Sequence, residues 1–388
     1  MTRALPVRQR GFSLVELMVS VVIGLLALLF TVNMVGGAER TRNNALGGSD
    51  GIQNGMVALF ALGNDASAAG YGLNDPVIAG CNTQFKDGNG FQLAPFERDA
   101  ATTLTPLAPV VIESNGAAPD RITFYSGTSA GGTASWGLLA DFAAGGTQLS
   151  LDHAAYGMNQ NDVLLVAPDK PGTDCLLLQR SDAGMTASVG VATGGTRFND
   201  GTGRTASFKL YKARVFDLGP ARNLAFRTWS VGGGYLQLQS LSGDTPDRAV
   251  AVANDIVSIK AQYGFDTRAG NAFHPETGLQ VGQWSAEMID ADGSGVTGDA
   301  GDWQHIAAVR IAVVARSKAA ERPAAGATCA TTTTQPTVFD KSPLKDVAAV
   351  PVTLDVGVRG DPLGWQCYSY RTFDTIVTLR NAGWRNTQ

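Results

Sequence analysis

The chain has 388 residues, of which 16% are charged, and 47 of its residues are glycine. A globular domain usually has about 25% charged residues, so this composition favours an extracellular, β-rich protein with many turns over a cytosolic enzyme. The formal net charge is −4. Because phosphate binding depends on clustered basic side chains, and the sequence has no such cluster, nucleic acid is not expected as a partner.

Residues 12–35 form an apolar run that contains a single carboxylate, Glu16. The run is long enough to cross a hydrocarbon core of about 30 Å as one helix. Arg3, Arg8 and Arg10 precede it, which predicts a single-pass membrane protein with a cytoplasmic N-terminus and its globular domain on the opposite side of the membrane. A carboxylate within a membrane helix is costly, so Glu16 is a candidate functional residue.

Three interpretations of this segment compete. A cleaved secretory signal could end near Gly36-Gly37-Ala38, but its apolar region is usually about 7–15 residues long, much shorter than this one. In a plain membrane anchor, Ser13 and Glu16 would form only an N-terminal capping box. The third interpretation rests on a resemblance: basic residues followed by Gly11, Phe12 and Glu16 resemble the processing signal of type IV prepilins.

This resemblance implies specific roles for the matching residues. A membrane peptidase would cut between Gly11 and Phe12, N-methylate Phe12, and leave the apolar helix on the mature protein. Glu16 would pair with the terminal amine of Phe12 in a neighbouring subunit, which would set the axial register of the assembled helices. Residues 1–11 would then be the leader peptide.

After Val35 the sequence becomes amphipathic. An apolar stripe at helical spacing predicts that one helix continues to about residue 68, with residues 12–35 facing lipid or partners and residues 36–69 laying the stripe on a globular domain. The stripe consists of Ile52, Met56, Leu59, Phe60 and Gly63.

Residues 70–388 are predicted to form a β-rich globular domain, which is long enough to contain two sub-sheets. Short β-type runs alternate with Gly, Asp and Asn turns, which predicts antiparallel strands and an α+β fold. The candidate strands are Arg121–Ser126, Gln148–Asp152, Asp162–Ala167, Cys175–Arg180, Ser207–Val215, Leu224–Val231 and Tyr235–Leu241.

Four further blocks resemble PilW-type minor pilins: residues 62–72, residues 250–266, residues 303–317 and residues 368–381. This resemblance implies a pilin-like fold and a minor pilin that helps to initiate pilus assembly at or near the pilus tip. Its expected partners are other minor pilins and the major pilin through the N-terminal helix, the prepilin peptidase, the inner-membrane assembly platform and a tip adhesin. The resemblance also implies that the protein is first anchored in the inner membrane with a periplasmic globular domain. After assembly the protein would be part of the extracellular pilus.

The cysteines are widely spaced at Cys81, Cys175, Cys329 and Cys367. In an oxidising compartment such cysteines are expected to form disulfides. Four cysteines allow three pairings. Cys81–Cys175 and Cys329–Cys367 are preferred because they close the shorter loops, but the sequence leaves the other pairings open.

An Asp- and Gly-rich segment starts at Asp290 and resembles the first half of an EF-hand loop. Oxygen-bearing side chains at Asp290, Asp292 and Ser294, the carbonyl of Val296 and the later Asp302 are candidate Ca²⁺ ligands. The twelfth position lacks the usual glutamate, and an ordinary turn loop is the competing interpretation. No other cofactor is expected.

Two alternative functions remain at this point. A pseudopilin of a type II secretion system would share the leader and the helix. A membrane-anchored adhesin could use Trp136 and Trp229 to bind carbohydrate, although burial is the more common fate of tryptophan. An enzyme is not expected, because the sequence has no G-x-S-x-G elbow and His153 has no identifiable catalytic partners.

Overall fold

The computed structural model describes residues 13–129, 134–170, 174–200, 204–321 and 328–382. One long N-terminal helix leads into a globular part built mostly from antiparallel strands. The predicted α+β fold is confirmed.

Helix α1 (Leu14–Ala68) has 55 residues and is about 80 Å long at 1.5 Å per residue. Ser13 caps its N-terminus. Beyond its C-terminus, Gly70 adopts a φ of +83°, a conformation that glycine tolerates and that commonly ends helices. The helical backbone continues through Gly36-Gly37 and Gly47-Gly48, so these pairs do not interrupt it.

The remaining elements are short and follow one another closely. In the described residues and in chain order they are β1 (Cys81–Gln84), β2 (Phe96–Asp99), β3 (Thr102–Leu104), β4 (Pro106–Leu107), β5 (Val110–Glu113), β6 (Arg121–Ser126), β7 (Ser135–Gly137), β8 (Gln148–Ser150), β9 (Asp162–Pro168), β10 (Cys175–Gln179), β11 (Ser188–Gly190), β12 (Ala213–Pro220), β13 (Ala225–Gly232), β14 (Tyr235–Ser240), β15 (Val250–Asn254), β16 (Ile256–Phe265), β17 (Gln283–Ser285), α2 (Ala300–Gln304), β18 (Ile306–Arg316), β19 (Thr337–Val338), β20 (Val352–Thr353) and β21 (Tyr370–Thr378). Single 3-10 turns lie at Gly270–Ala272, Pro275–Thr277, Trp365–Cys367 and Arg380–Ala382.

Within the described ranges, these strands form three larger sheets, in the orders β4-β1-β10-β9-β12-β7, β15-β14-β13-β6-β5 and β17-β16-β18-β21. Two-stranded ribbons pair β8 with β11, β19 with β20 and β2 with β3. The pairing is antiparallel as predicted, except that β1 runs parallel to β10, with Thr83 opposite Cys175.

Two hydrophobic cores lie on opposite faces of the first sheet. Along β9, Val163 and Leu165 point into the main core, while Leu164 and Val166 point into the second core. Since successive strand residues face opposite sides, a strand between two cores is apolar at every position. The main core also receives α1, and this contact places the helix on the globular part.

The predicted contact face of α1 is wrong. Ile52, Met56 and Phe60 are 40%, 59% and 71% exposed, respectively. Leu59 and Gly63 are only partly buried. The buried face consists mostly of smaller residues instead, together with one leucine: Gly51, Gly55, Ala58, Leu62, Asp65, Ala66 and Ala69. Small side chains let the helix backbone approach the strands, and a search for large apolar residues overlooks them.

One predicted strand is displaced. The sequence favoured Ser207–Val215, whereas β12 begins at Ala213 and continues to Pro220. A bulge between Asp217 and Gly219 lets the strand include turn-type residues near its end. Upstream, Phe208 makes only an isolated bridge with Phe142.

Candidate functional site

The start of α1 carries the first candidate residues. Gly11 and Phe12 lie outside the described residues. The backbone N–H of Ser13 donates to the Glu16 carboxylate at 3.3 Å, and the Ser13 hydroxyl accepts from the N–H of Val15 at 3.3 Å. The capping box is therefore present. It uses the Glu16 carboxylate within its own chain, yet it leaves the side chain exposed to other partners.

The segment Leu14–Val32 is long and apolar enough to cross a membrane, and none of it is buried against the rest of the chain. Its large side chains are at least half exposed. An apolar surface of this size needs lipid or other protein to cover it. Glu16 lies near the start of this surface, so any helix bundle that covers the segment must also provide for its charge.

The C-terminal half of α1 is held by close backbone approach. A side-chain carbon added at Gly55 would lie 2.2 Å from the Phe373 ring, and one at Gly51 would lie 3.1 Å from the carbonyl oxygen of Arg316. By contrast, Gly24 in the exposed half has nothing within 4 Å. Gly51 and Gly55 are therefore packing residues, a role that their four-residue spacing could have indicated.

An ionic contact locks the end of the helix onto the five-stranded sheet. The Asp65 carboxylate is 8% exposed and pairs with the Arg227 guanidinium. It also accepts a hydrogen bond from the Trp229 indole N–H at 2.8 Å. Asp65 is the acidic residue of the block at residues 62–72, so this block lies at the junction between helix and domain. Its partners are 162 and 164 residues away in the chain, and no local pattern predicted them.

The carbonyls at the C-terminus of α1 also accept hydrogen bonds from a residue that is distant in the sequence. The Asn381 side-chain amide donates to the carbonyls of Ala68 and Ala69 at 3.2 and 3.1 Å. The N–H of Gly70 donates to the carbonyl of Tyr125 at 2.8 Å. Since the last carbonyls of a helix lack partners within it, Asn381 anchors the terminal PilW-type block on the helix end.

Arg310 is a buried cation with a carboxylate partner, as the cost of burying an unpaired charge requires. The residue is 4% exposed on β18, and its guanidinium lies 2.6 Å from the Asp374 carboxylate on β21. It also donates to the carbonyl of Lys341 at 2.8 Å and lies 4.6 Å from the centre of the Phe339 ring.

Both preferred disulfides are present, Cys81–Cys175 and Cys329–Cys367. The first joins β1 to β10 beside their parallel pairing. The second ties the loop before β19 to the turn that precedes β21.

The Asp-rich loop brings three of its predicted ligands together. One carboxylate oxygen each from Asp290, Asp292 and Asp302 lies within 4.8 Å of the others. Asp302 is buried, and its carboxylate accepts backbone hydrogen bonds from Ala291 and Gly298, both at 2.6 Å. Burial raises the pKa of Asp302 to about 6 despite these hydrogen bonds.

The other two predicted ligands are placed differently. The Ser294 hydroxyl donates to Asp299 at 2.8 Å, and Val296 is exposed. Asp299 caps α2, which has only five residues. The loop therefore lacks the long flanking helices of an EF-hand, and calcium binding stays a prediction.

The two candidate sugar-binding tryptophans are buried. Trp136 and Trp229 are 4% and 2% exposed, respectively. Trp136 stacks on His153, which is exposed and paired with Asp152. Neither indole is available as an exposed platform for a sugar.

An exposed apolar helix half followed by a half docked on antiparallel sheet fits a single-pass, membrane-anchored pilin. Two family models match the chain. The Prokaryotic N-terminal methylation motif covers residues 7–32, and Type IV Pilus-assembly protein W covers residues 230–381. The chain therefore matches PilW-type pilins over residues 230–381 and carries their methylation motif at its N-terminal end. Neither a curated protein nor a solved structure matches it.

Proposed function

We propose that this protein is a minor pilin of a type IV pilus and acts as an assembly component rather than an enzyme. The observation that carries the proposal is α1, whose first half is uncovered while its second half is locked to the globular part. In this proposal the prepilin peptidase cuts between Gly11 and Phe12. The segment from Phe12 to Val35 first anchors the protein in the inner membrane and then joins the helical core of the pilus.

Glu16 would set the register of that core. The mature Phe12 carries a terminal amine, and a carboxylate buried in a helix bundle is stable only beside a positive partner. Pairing of Glu16 with the amine of a neighbouring subunit favours one axial position and penalises others. The capping box is compatible with this role, because it stabilises the helix start before assembly.

The size of the chain supports a role at or near the pilus tip. Within the described residues, the globular part beyond α1 contains three larger sheets and three hydrophobic cores. A regular shaft repeats one small subunit closely, and a domain of this size would be difficult to accommodate there. A tip subunit has neighbours on one side only, and it can help to initiate assembly with other minor pilins and the assembly platform.

Three variants separate the roles of the helix start. Glu16→Gln keeps a residue that can complete a capping box but removes the charge, whereas Ser13→Ala removes the cap and keeps the charge. We expect Glu16→Gln and Glu16→Ala to block incorporation into pili while processing continues, and Ser13→Ala to be incorporated. Immunoblotting of sheared pili and mass spectrometry of the mature N-terminus measure the two steps.

A bulky substitution at Gly11 tests the cleavage site separately. Gly11→Leu should leave the precursor uncut and unmethylated in the membrane. Normal incorporation of Glu16→Gln would remove the proposed charge pairing and leave only the cap. Normal cleavage of Gly11→Leu would contradict peptidase processing at this position.

A type II secretion pseudopilin is the second candidate, because the methylation motif and the exposed helix suit both machines. Purification of cross-linked complexes of the full-length chain distinguishes them by the pilus or secretion subunits recovered. The match to a pilus-assembly family favours the pilus.

A further inference from the structure

A cavity with a volume of about 700 Å³ lies in the globular part, beside β1. Residues 85–95, which follow β1, form much of its wall, and Leu176 and Leu177 of β10 also line it. A volume between about 300 and 1,000 Å³ is typical of sites for small ligands. The lining lies outside residues 7–32 and 230–381, which match the pilin families, so those matches do not account for the cavity.

Arg204 lines this cavity and carries an unpaired charge. Its Nε, Nη1 and Nη2 atoms are buried, and none of them has a hydrogen-bond partner among the described residues. A buried donor without an acceptor is costly, and the cost is higher for a charged group. Burial accordingly lowers the pKa of the guanidinium, although the nearby Asp200 carboxylate opposes this effect. The position therefore favours an added acceptor with a negative charge.

Contacts from a distant part of the chain hold Arg204 at the cavity. The backbone N–H groups of the next two residues, Thr205 and Ala206, both donate to the Gln84 side-chain carbonyl at 3.0 Å. The Gln84 amide donates in return to the Thr205 hydroxyl at 2.7 Å. Gln84 ends β1, which the first disulfide joins to β10. The backbone beside Arg204 is thus fixed to the sheet.

The other charged side chains that line the cavity are already paired. Asp87 is buried and lies 2.5 Å from the Arg197 guanidinium, and Asp200 lies 2.7 Å from the Lys86 ammonium. Each of these two carboxylates is therefore balanced by one cation, which leaves the charge of Arg204 in excess. A ligand with one negative charge would balance it. A phosphate group with two charges would instead add negative charge close to Asp87 and Asp200, which is unfavourable.

Apolar side chains form another part of the wall. Phe85 is partly buried and packs on the buried Phe198, with the ring centres 5.1 Å apart. Leu93 and Pro95 also line the cavity. A hydrocarbon group placed against these side chains would be removed from water, which stabilises binding. The cavity thus combines one excess positive charge with an apolar surface.

We propose that this cavity binds a small monocarboxylate with an apolar body. Its carboxylate accepts hydrogen bonds from the Arg204 guanidinium, whose planar fork matches two carboxylate oxygens. Its apolar body lies against Phe85 and Pro95. The site goes beyond the proposed function, since it adds recognition of a small molecule to an assembly component.

Access to Arg204 requires one local movement. The guanidinium nitrogens are closed to solvent, so the side chain must rotate toward the cavity before a carboxylate can reach them. Because no hydrogen bond within the described ranges holds the guanidinium, this rotation breaks none.

Isothermal titration calorimetry of the full-length protein in detergent tests the proposal. The probe is hydrocinnamate, an aromatic monocarboxylate, and the comparison is its neutral amide, hydrocinnamamide, which has almost the same shape. We expect saturable binding of hydrocinnamate at millimolar concentration. The amide should bind about tenfold more weakly or worse, because a hydrogen bond to a charged group contributes about that factor.

Arg204→Met tests the residue itself, because methionine keeps an unbranched side chain and removes the charge. It should weaken hydrocinnamate binding about tenfold or more and leave hydrocinnamamide binding unchanged. Its melting temperature should not fall, since an unpaired buried charge is lost. Arg359→Met is the matched control, because Arg359 is exposed and lies outside the lining; it should leave the binding of both probes unchanged. If Arg204→Met does not fold, the comparison of the two probes on the wild type decides.

Three outcomes would overturn the proposal. The first is equal binding of hydrocinnamate and its amide, or no saturable binding of hydrocinnamate. The second is a folded Arg204→Met protein that binds hydrocinnamate as tightly as the wild type does. The third is tighter binding of inorganic phosphate than of hydrocinnamate, which would assign a different class of anion. None of these measurements involves cleavage or pilus incorporation, so the proposed function is tested separately.

Discussion

The two halves of α1 differ in what covers them. From Leu14 to Val32 the helix has large apolar side chains and makes no buried contact with its own chain. From Gly51 to Ala66 it buries mostly small residues, with one leucine and one carboxylate, against the sheets. The comparison shows that side-chain size, rather than hydrophobicity alone, separates the surface used within the subunit from the surface left for assembly.

The largest effect that distinguishes the halves is expected at Asp65. Asp65→Ala leaves the Arg227 guanidinium and the Trp229 indole N–H without their acceptor. We expect a loss of about 3 kcal/mol in the free energy of unfolding, at the lower end for a broken buried pair, because the Arg227 side chain is 39% exposed. Tryptophan fluorescence during chemical unfolding of the full-length protein in detergent measures the loss.

Asn64→Ala is the control for this change. Asn64 is the exposed neighbour of Asp65 on the same helix, so its removal should change stability by less than about 0.5 kcal/mol. Equal losses for the two variants would mean that the Asp65 contact does not hold the helix.

A smaller effect should separate equivalent glycines in the two halves. Gly55→Ala forces the Phe373 ring to move, and overpacking of this kind costs about 1–3 kcal/mol. The higher helix propensity of alanine offsets up to about 1 kcal/mol of this cost. The expected net loss in the free energy of unfolding is therefore about 1–2 kcal/mol. The same unfolding experiment measures it.

Gly24→Ala provides the comparison, because nothing lies within 4 Å of an added side-chain carbon there. It should leave the unfolding of the globular part unchanged. A loss at Gly24 as large as that at Gly55 would contradict the distinction between an uncovered half and a docked half.

The smallest effect concerns the Asp-rich loop, which lies in the docked globular part rather than on the helix. Because the folded pKa of Asp302 is raised to about 6, the folded state binds more protons than the unfolded state between about pH 4 and 6. Stability contributed by protonated Asp302 is present at low pH and is lost as the pH rises through 6. The free energy of unfolding should fall by at most about 1 kcal/mol per pH unit in this range.

Unfolding of the wild type and of Asp302→Asn across this range isolates the contribution, since the amide does not titrate. Identical slopes would contradict the raised pKa.

Calcium provides a further test of the loop. If the predicted site is correct, millimolar Ca²⁺ should raise the melting temperature and hold Asp302 ionised. An unchanged melting temperature would reject calcium binding.

The sequence by itself determined the elements that depend on local pattern. An apolar run predicted the first half of α1, and apolar residues at helical spacing predicted its continuation to residue 68. The β-type runs between turns located β6, β9 and β10 to within one residue at their starts. The methylation motif is equally local, so Gly11, Phe12 and Glu16 could be selected without a fold. Arg310 could be expected to have a carboxylate partner because the cost of burying an unpaired charge does not depend on fold.

Only the tertiary structure decided which contacts these elements make. The partners of Asp65 come from a strand about 160 residues away, and chain separation of that size leaves no local signal. The docked face of α1 was chosen by how closely Gly51 and Gly55 allow the strands to approach, which is a property of shape. The large apolar residues on the other face were therefore left uncovered, beside the open edge of β21.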